Sequence, residues 1–194
     1  VVTNGVEDFW LANEFKAKVL SNDLKFNLLC VGKIDKNKNI LTILKVIDVL
    51  KAKGYSANLT VVGQVVDEDV YKKIKKSKDT TVLNYLKKEE LIEVYRKHDI
   101  YIMPSIHETF GRVYAEAMTQ GLPVIYSKGQ GFDGIFKNGE VGYAVPSHDV
   151  NYITECVEKI IQDYQAISKR CIEESKRFDW NLIARQISDF YNSI

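Results

Sequence analysis

Ile100-Tyr101-Ile102-Met103-Pro104-Ser105-Ile106-His107-Glu108-Thr109-Phe110-Gly111-Arg112-Val113-Tyr114-Ala115-Glu116 passes from an apolar run through a polar bend into a helical pattern. The first four positions are apolar without inside-outside alternation, which a strand covered on both faces of a parallel sheet requires. Pro104 closes that run, and the segment after Phe110 predicts a helix ending near Gly121. A strand, a loop and a helix start in immediate succession are the unit of an open α/β sheet.

Working outward, comparable β-rich runs recur at 26–31, 59–62, 80–83, 124–126 and 142–145, so six short strands are expected. Helical periodicity fills the gaps. Ile40, Ile43, Leu44, Ile47 and Leu50 share one face before Gly54, and a lysine-rich, weakly amphipathic helix is expected over 70–78. Leu91, Val94 and Tyr95 mark another helix over 88–98. A long helix over 150–176 and a last one over 181–191 follow, joined at Phe178-Asp179-Trp180. The alternation predicts a doubly wound α/β fold: a Rossmann-like, six-stranded parallel sheet with two C-terminal helices.

Such sheets bind ligands beyond the carboxyl ends of their strands, where strand order reverses. Residues 32–39, 63–69 and 104–111 are the loops in question. In the last of these, the start of the helix offers free N–H groups and a partial positive charge of about half a unit, suited to a phosphate. Gly111 is expected to let a ligand approach those amides. Glu108 and Glu116, eight positions apart, would stand about 80° apart on a regular helix, so they would flank one ligand at two points rather than chelate one ion. Lys33, Lys36 and Lys38 lie in the loop after the first strand, and lysine is a flexible point charge suited to diphosphate. Taken singly, these lysines also read as solvated loop residues, and the two glutamates as ordinary surface carboxylates.

Composition narrows the possibilities. Of 194 residues, 45% are hydrophobic and 27% charged, enough for a sizeable core. Lys and Arg number 27 against 26 Asp and Glu, a formal charge of +1, so no global field gathers nucleic acid or an anionic membrane. The apolar runs are far shorter than the roughly 20 residues that span a bilayer. Cys30, Cys156 and Cys171 form no paired or C-x-x-C spacing, which fits a reducing, cytoplasmic setting. His98, His107 and His148 make no metal pattern and read as surface or packing groups. The 11 tyrosines are scattered and read as packing or interface groups, not a nucleic-acid platform. A first residue of Val1 without a signal-like start suggests a piece of something longer.

Together these stretches resemble the nucleotide-binding, C-terminal domain of the family-four retaining glycosyltransferases of GT-B fold, over nearly the whole chain. The most specific part is the E-x7-E segment from Glu108 to Glu116, continued by Ala117-Met118 and Gly121-Leu122-Pro123-Val124, where those enzymes carry E-A-x-x-x-G-x-P-V. Val31-Gly32-Lys33 with Lys38 is similar to their V-G-R and following Lys, Thr3-Asn4-Gly5-Val6 to their P-N-G-V hinge, and Phe178-Asp179-Trp180 to their terminal stretch.

The resemblance implies a domain layout of a hinge and entry segment at 1–25, a donor-nucleotide-binding domain at 26–178 and a C-terminal helix at 179–194. It implies that Glu116 holds the ribose hydroxyls of a nucleotide-sugar, with UDP or GDP as the expected carrier and ADP left open. Thr109, Phe110, Gly111 and Arg112 would offer main-chain N–H groups to the sugar and distal phosphate. Glu108 would lie against the sugar near the reacting carbon. Lys33 and Lys38, beside Gly32, would neutralise the diphosphate, with no divalent metal or other cofactor, and Tyr85 and Leu86 would frame the base.

The implied reaction moves a hexose to an acceptor held by an N-terminal domain that this chain does not include, through which peripheral membrane association is conceivable; this chain alone would bind donor without completing transfer. Two departures stand out. Lys33 replaces the usual Arg, which loses the bidentate fork, and Gln130-Gly131-Phe132-Asp133-Gly134 stands where the family often has G-G-x-P-E. The competing reading is a non-catalytic α/β nucleotide-binding or assembly module that keeps the fold but not transfer. A phosphorylase would be expected to carry a lysine for pyridoxal phosphate, and no such match is found.

Overall fold

The computed structural model describes residues 3–192. Six strands, β1 (Lys25–Val31), β2 (Ser56–Val62), β3 (Thr80–Leu83), β4 (Ile100–Met103), β5 (Val124–Ser127) and β6 (Gly142–Val145), form one sheet in the order β3-β2-β1-β4-β5-β6. Every pairing is parallel. β4 and β5 are buried at every position, whereas edge strand β3 is only partly covered. The chain winds outward from β1 to β3, returns across the sheet and continues from β4 to β6. The order therefore reverses between β1 and β4, and the carboxyl ends of those two strands frame the crevice.

Eight helices accompany the sheet among the described residues: α1 (Asp8–Ala12), α2 (Ile40–Ala52), α3 (Glu68–Lys75), α4 (Lys88–Lys97), α5 (Arg112–Thr119), α6 (Val150–Gln162), α7 (Tyr164–Ser175) and α8 (Trp180–Asn192). One group packs α2 on α3 and α6, the other packs α5 on α1 and α7. Two covering layers are what continuously apolar strands demand.

Several elements differ from expectation. The single helix expected over 150–176 is two helices, because Asp163 leaves helical geometry at φ −118°, ψ 28°. The break lets Tyr164 bury its ring and donate its hydroxyl to Asp99 O at 2.9 Å. The helix expected at 70–78 begins two residues earlier, since Asp67 Oδ1 accepts the N–H groups of Asp69 and Val70 as an N-cap. Ile92, not Val94, is buried beside Leu91 and Tyr95 on α4. Val6, Trp10 and Phe178 belong to the same apolar core as the strands, so the entry segment and the C-terminal joint are built into the body of the fold. Positions 1–2 and 193–194, the outermost parts of the expected terminal segments, lie outside the described residues.

Candidate functional site

Loops 32–39 and 104–111 leave the carboxyl ends of β1 and β4 side by side, and side-chain amides stitch them together. Ile106 N–H donates to Asn37 O at 2.8 Å. His107 N–H donates to Asn37 Oδ1 at 2.9 Å, and Asn37 Nδ2 returns a bond to His107 O at 2.9 Å. Asn39, in the left-handed region at φ 53°, donates from Nδ2 to Pro104 O at 3.1 Å and Ser147 O at 2.6 Å. Asparagine tolerates that conformation better than other side chains with a Cβ.

Between the loops lies a cleft of about 260 Å³. It is lined by Asn4, Val31, Gly32, Lys38, the run from Glu108 to Val113, and Glu116. Lys38 Nζ donates to Glu108 Oε2 at 2.7 Å, and the two side chains are only 18% and 12% exposed. That enclosure keeps the pair from being an ordinary, solvent-screened surface bridge. The ammonium is held in place, and an anionic ligand would meet it already positioned.

Gly111, at φ 77°, is the N-cap of α5 and offers no side-chain acceptor to its first turn. The first-turn amides are left for an anion. Packing supplies a second reason for this glycine: a Cβ there would stand 2.3 Å from the Tyr114 ring. The same left-handed residue interrupts the helix, so Glu108 lies on the loop upstream of α5. The angle reckoned on a regular helix does not apply, yet both carboxyls border the same cleft.

Glu116 receives a long hydrogen bond from the Tyr95 hydroxyl at 3.4 Å. Burial pushes its carboxyl up to about 7, against the pull of the Arg112 guanidinium and the Tyr95 hydroxyl. Near neutral pH it is thus poised between accepting and donating. Tyr95 sits in an aromatic series with Trp10, Tyr101 and Tyr114, which fixes the platform on which Glu116 stands.

Three expected residues stand outside the cleft lining. Lys33 is exposed at the start of its loop. Tyr85 is 75% exposed after β3, and Leu86 packs partly against the core. Two residues that spacing did not reveal are drawn in: Asn37, described above, and Gln130, whose Oε1 accepts the Glu108 N–H at 2.9 Å. Gln130 lies 22 positions from Glu108, a separation at which no sequence period operates. His98 is a packing group, bonded to Val94 O and Thr60 Oγ1. Among the described residues, no group of three or more His, Cys, Asp or Glu could hold a metal ion, and no helix is long and apolar enough to cross a membrane.

Residues 12–178 match the family described as glycosyl transferases group 1. The chain belongs to that family. Among curated relatives of this group 1 glycosyl transferase chain, the capsular polysaccharide biosynthesis glycosyltransferase CapM of Staphylococcus aureus is 30% identical over 171 residues, 83% of the chain and 44% of CapM. The chain spans less than half the length of the first curated relatives it matches. In fold, the group 1 chain is similar to sucrose-phosphate synthase from Thermosynechococcus elongatus, with a TM-score of 0.76 at 23% identity over 99% of the chain and 51% of that protein. It is also similar to Anabaena HepE, solved with UDP and glucose, with a TM-score of 0.74 at 20% identity over 88% of the chain and 49% of HepE. The six-stranded parallel sheet with helices on both faces is the Rossmann-like α/β fold of these GT-B neighbours.

Proposed function

We propose that this group 1 glycosyl transferase domain is the donor-binding half of a retaining enzyme that moves a hexose from a nucleoside-diphosphate sugar to an acceptor. The observation that carries the reading is the enclosed Lys38–Glu108 pair beside the uncapped start of α5, with Glu116 on the same cleft. HepE, solved with UDP and glucose, and the pneumococcal O-GlcNAc transferase GtfA, solved with UDP and GlcNAc, support the ligand class.

In this reading Glu116 takes the ribose hydroxyls, while the N–H groups of Thr109, Phe110, Gly111 and Arg112 take the sugar and distal phosphate. Glu108 lies against the sugar. As the bond from the anomeric carbon to the phosphate oxygen breaks, its electron pair leaves with the diphosphate, and Lys38 with the first-turn amides stabilises the growing charge without a divalent metal. Lys33, exposed on a flexible stem, reaches the same diphosphate. Tyr85 and Leu86 frame the base, which is that of UDP, GDP or ADP. The acceptor is bound by a domain outside these residues, consistent with relatives more than twice as long as the stretch they share with the chain. Any association with a membrane surface runs through that domain, on the cytoplasmic side, where three free, buried thiols are at home.

A thermal-shift panel of UDP, GDP, ADP and their glucose conjugates tests this. One base series should raise the unfolding temperature, and Glu116→Ala should weaken that binding about tenfold to a hundredfold by calorimetry. Silence across the whole panel would overturn the reading in favour of a non-catalytic module.

A further inference from the structure

The backbone of Glu108 is held on both its N–H and its carbonyl by the loop that follows β5. Gln130 Oε1 accepts the Glu108 N–H at 2.9 Å, and Gly131 N–H donates to Glu108 O at 3.1 Å. The two loops touch closely enough that a Cβ on Gly131 would lie 1.7 Å from Thr109 O. Asp133 closes the turn by accepting Gly129 N–H at Oδ2, 2.7 Å away. Phe132 anchors it in the core, with ring centroids 5.0 Å from Tyr114 and 5.1 Å from Tyr126. On the other flank, Asn37 holds both the N–H and the carbonyl of His107.

We infer that Gln130 is a positioning residue: its carboxamide fixes the Glu108 peptide, and with it the direction in which the Glu108 carboxylate meets the sugar end of the donor. The glutamate has three sources of constraint, Lys38 on its carboxylate and Gln130 and Gly131 on its backbone. Only the second depends on a side chain outside the two cleft-forming loops. A backbone N–H in a polar bend otherwise turns to water or to a ligand, and either would free the bend to rotate. With Gln130 in place that N–H is already spent, so it is not a contact for the donor. Recognition of the sugar therefore falls to the carboxylate and to the amides further along the loop. Asn37 gives the same support one residue earlier.

This rests on the donor-binding reading of the cleft, and the test keeps the two apart. Gln130→Met preserves length and volume but cannot accept the N–H, while Gln130→Glu keeps an acceptor oxygen. Amide hydrogen exchange followed by NMR reads the bond without any ligand. Glu108 N–H should be protected in the wild type and in Gln130→Glu, and should exchange at least about tenfold faster in Gln130→Met, with neighbouring core amides unchanged. Calorimetry then compares a nucleoside diphosphate with its glucose conjugate, using whichever of UDP, GDP or ADP the panel selects. Gln130→Met should lose affinity for the conjugate about threefold to tenfold and keep its affinity for the nucleoside diphosphate. Equal losses for both ligands, no loss for either, or an unchanged Glu108 exchange rate would overturn the inference while leaving donor binding intact. Failure of the wild type to bind any of the three pairs would overturn the donor-binding reading and the inference with it.

Discussion

Gly111 shows how one residue decides both packing and chemistry. Its φ of 77° starts α5 without a side-chain cap, and the Tyr114 ring fills the space where a Cβ would go. Gly111→Ala is expected to cost about 1–3 kcal/mol from the left-handed backbone and the displaced ring, read as a lowered unfolding midpoint in urea. Glu116 adds a pH dependence. Its folded-state value of about 7 lies above the ordinary 4.5, so between those two values the native state keeps a proton that the unfolded chain has released. The group therefore favours the folded state at low pH, and this contribution is lost as pH rises through about 7. Glu116→Gln should remove that part of the slope in urea titrations run at successive pH values. Affinity should run the opposite way, since the carboxylate is the form that accepts ribose hydroxyls. A nucleoside-diphosphate sugar, whose phosphates do not titrate near 7, should bind up to about tenfold tighter at pH 8 than at pH 6, and Glu116→Gln should flatten the change. That Glu108, Glu116 and Lys38 border one crevice was legible because all three are charged residues on the segments that follow β1 and β4. Gln130 was not, because nothing local marks a carboxamide that acts across 22 positions.

At the scale of elements, sequence patterns located all six strands because buried parallel strands are continuous apolar runs, and turns bound them. They failed where an element's limits depend on partners distant in sequence. β2 starts at Ser56, ahead of the apolar run, because it pairs with β1 from Lys25 onward. The break at Asp163 is invisible to a helical period, which two amphipathic helices in immediate succession satisfy as well as one. α1 is five residues long, too short to show a period. The end of α4 is set by Lys18, far away in the chain. Its ammonium donates to Tyr95 O at 3.0 Å, to Arg96 O at 2.9 Å and to His98 O, satisfying carbonyls that a helix C-terminus otherwise leaves open. Lys18→Met should destabilise the protein by about 1–3 kcal/mol, seen in thermal unfolding, and should raise hydrogen exchange at the end of α4 before the sheet is affected.

For the whole molecule, the entry segment and the joint before α8 meet beside the cleft. Val6 N–H donates to Phe178 O at 2.9 Å, and Trp180 lies over Gly5, where a Cβ would approach its ring to 2.6 Å. Asn4, one residue earlier, is part of the cleft lining. Both stretches were conspicuous in the sequence, but their contact was not, since it joins segments more than 170 residues apart. Trp180→Ala should cost about 1–2 kcal/mol of stability, less than a fully buried tryptophan because the residue is 44% exposed, and should loosen Asn4 at the cleft; chemical denaturation and the amide resonances of Asn4 and Gly5 report on each.

A larger hollow of about 680 Å³ lies by the opposite, amino ends of the strands, bordered by Leu24, Tyr55 and Tyr164. The start of α7 at Tyr164 lies on its rim, but the lysine there, Lys169, is exposed rather than enclosed against a carboxylate. The most direct test of the account is a crystal structure of this chain with a bound nucleoside-diphosphate sugar. The diphosphate should lie within hydrogen-bond distance of Lys38 Nζ and the amides at the start of α5, with the ribose against Glu116. A ligand seated in the hollow at the amino ends, or bound with Lys38, Glu108 and Glu116 all out of contact, would contradict it.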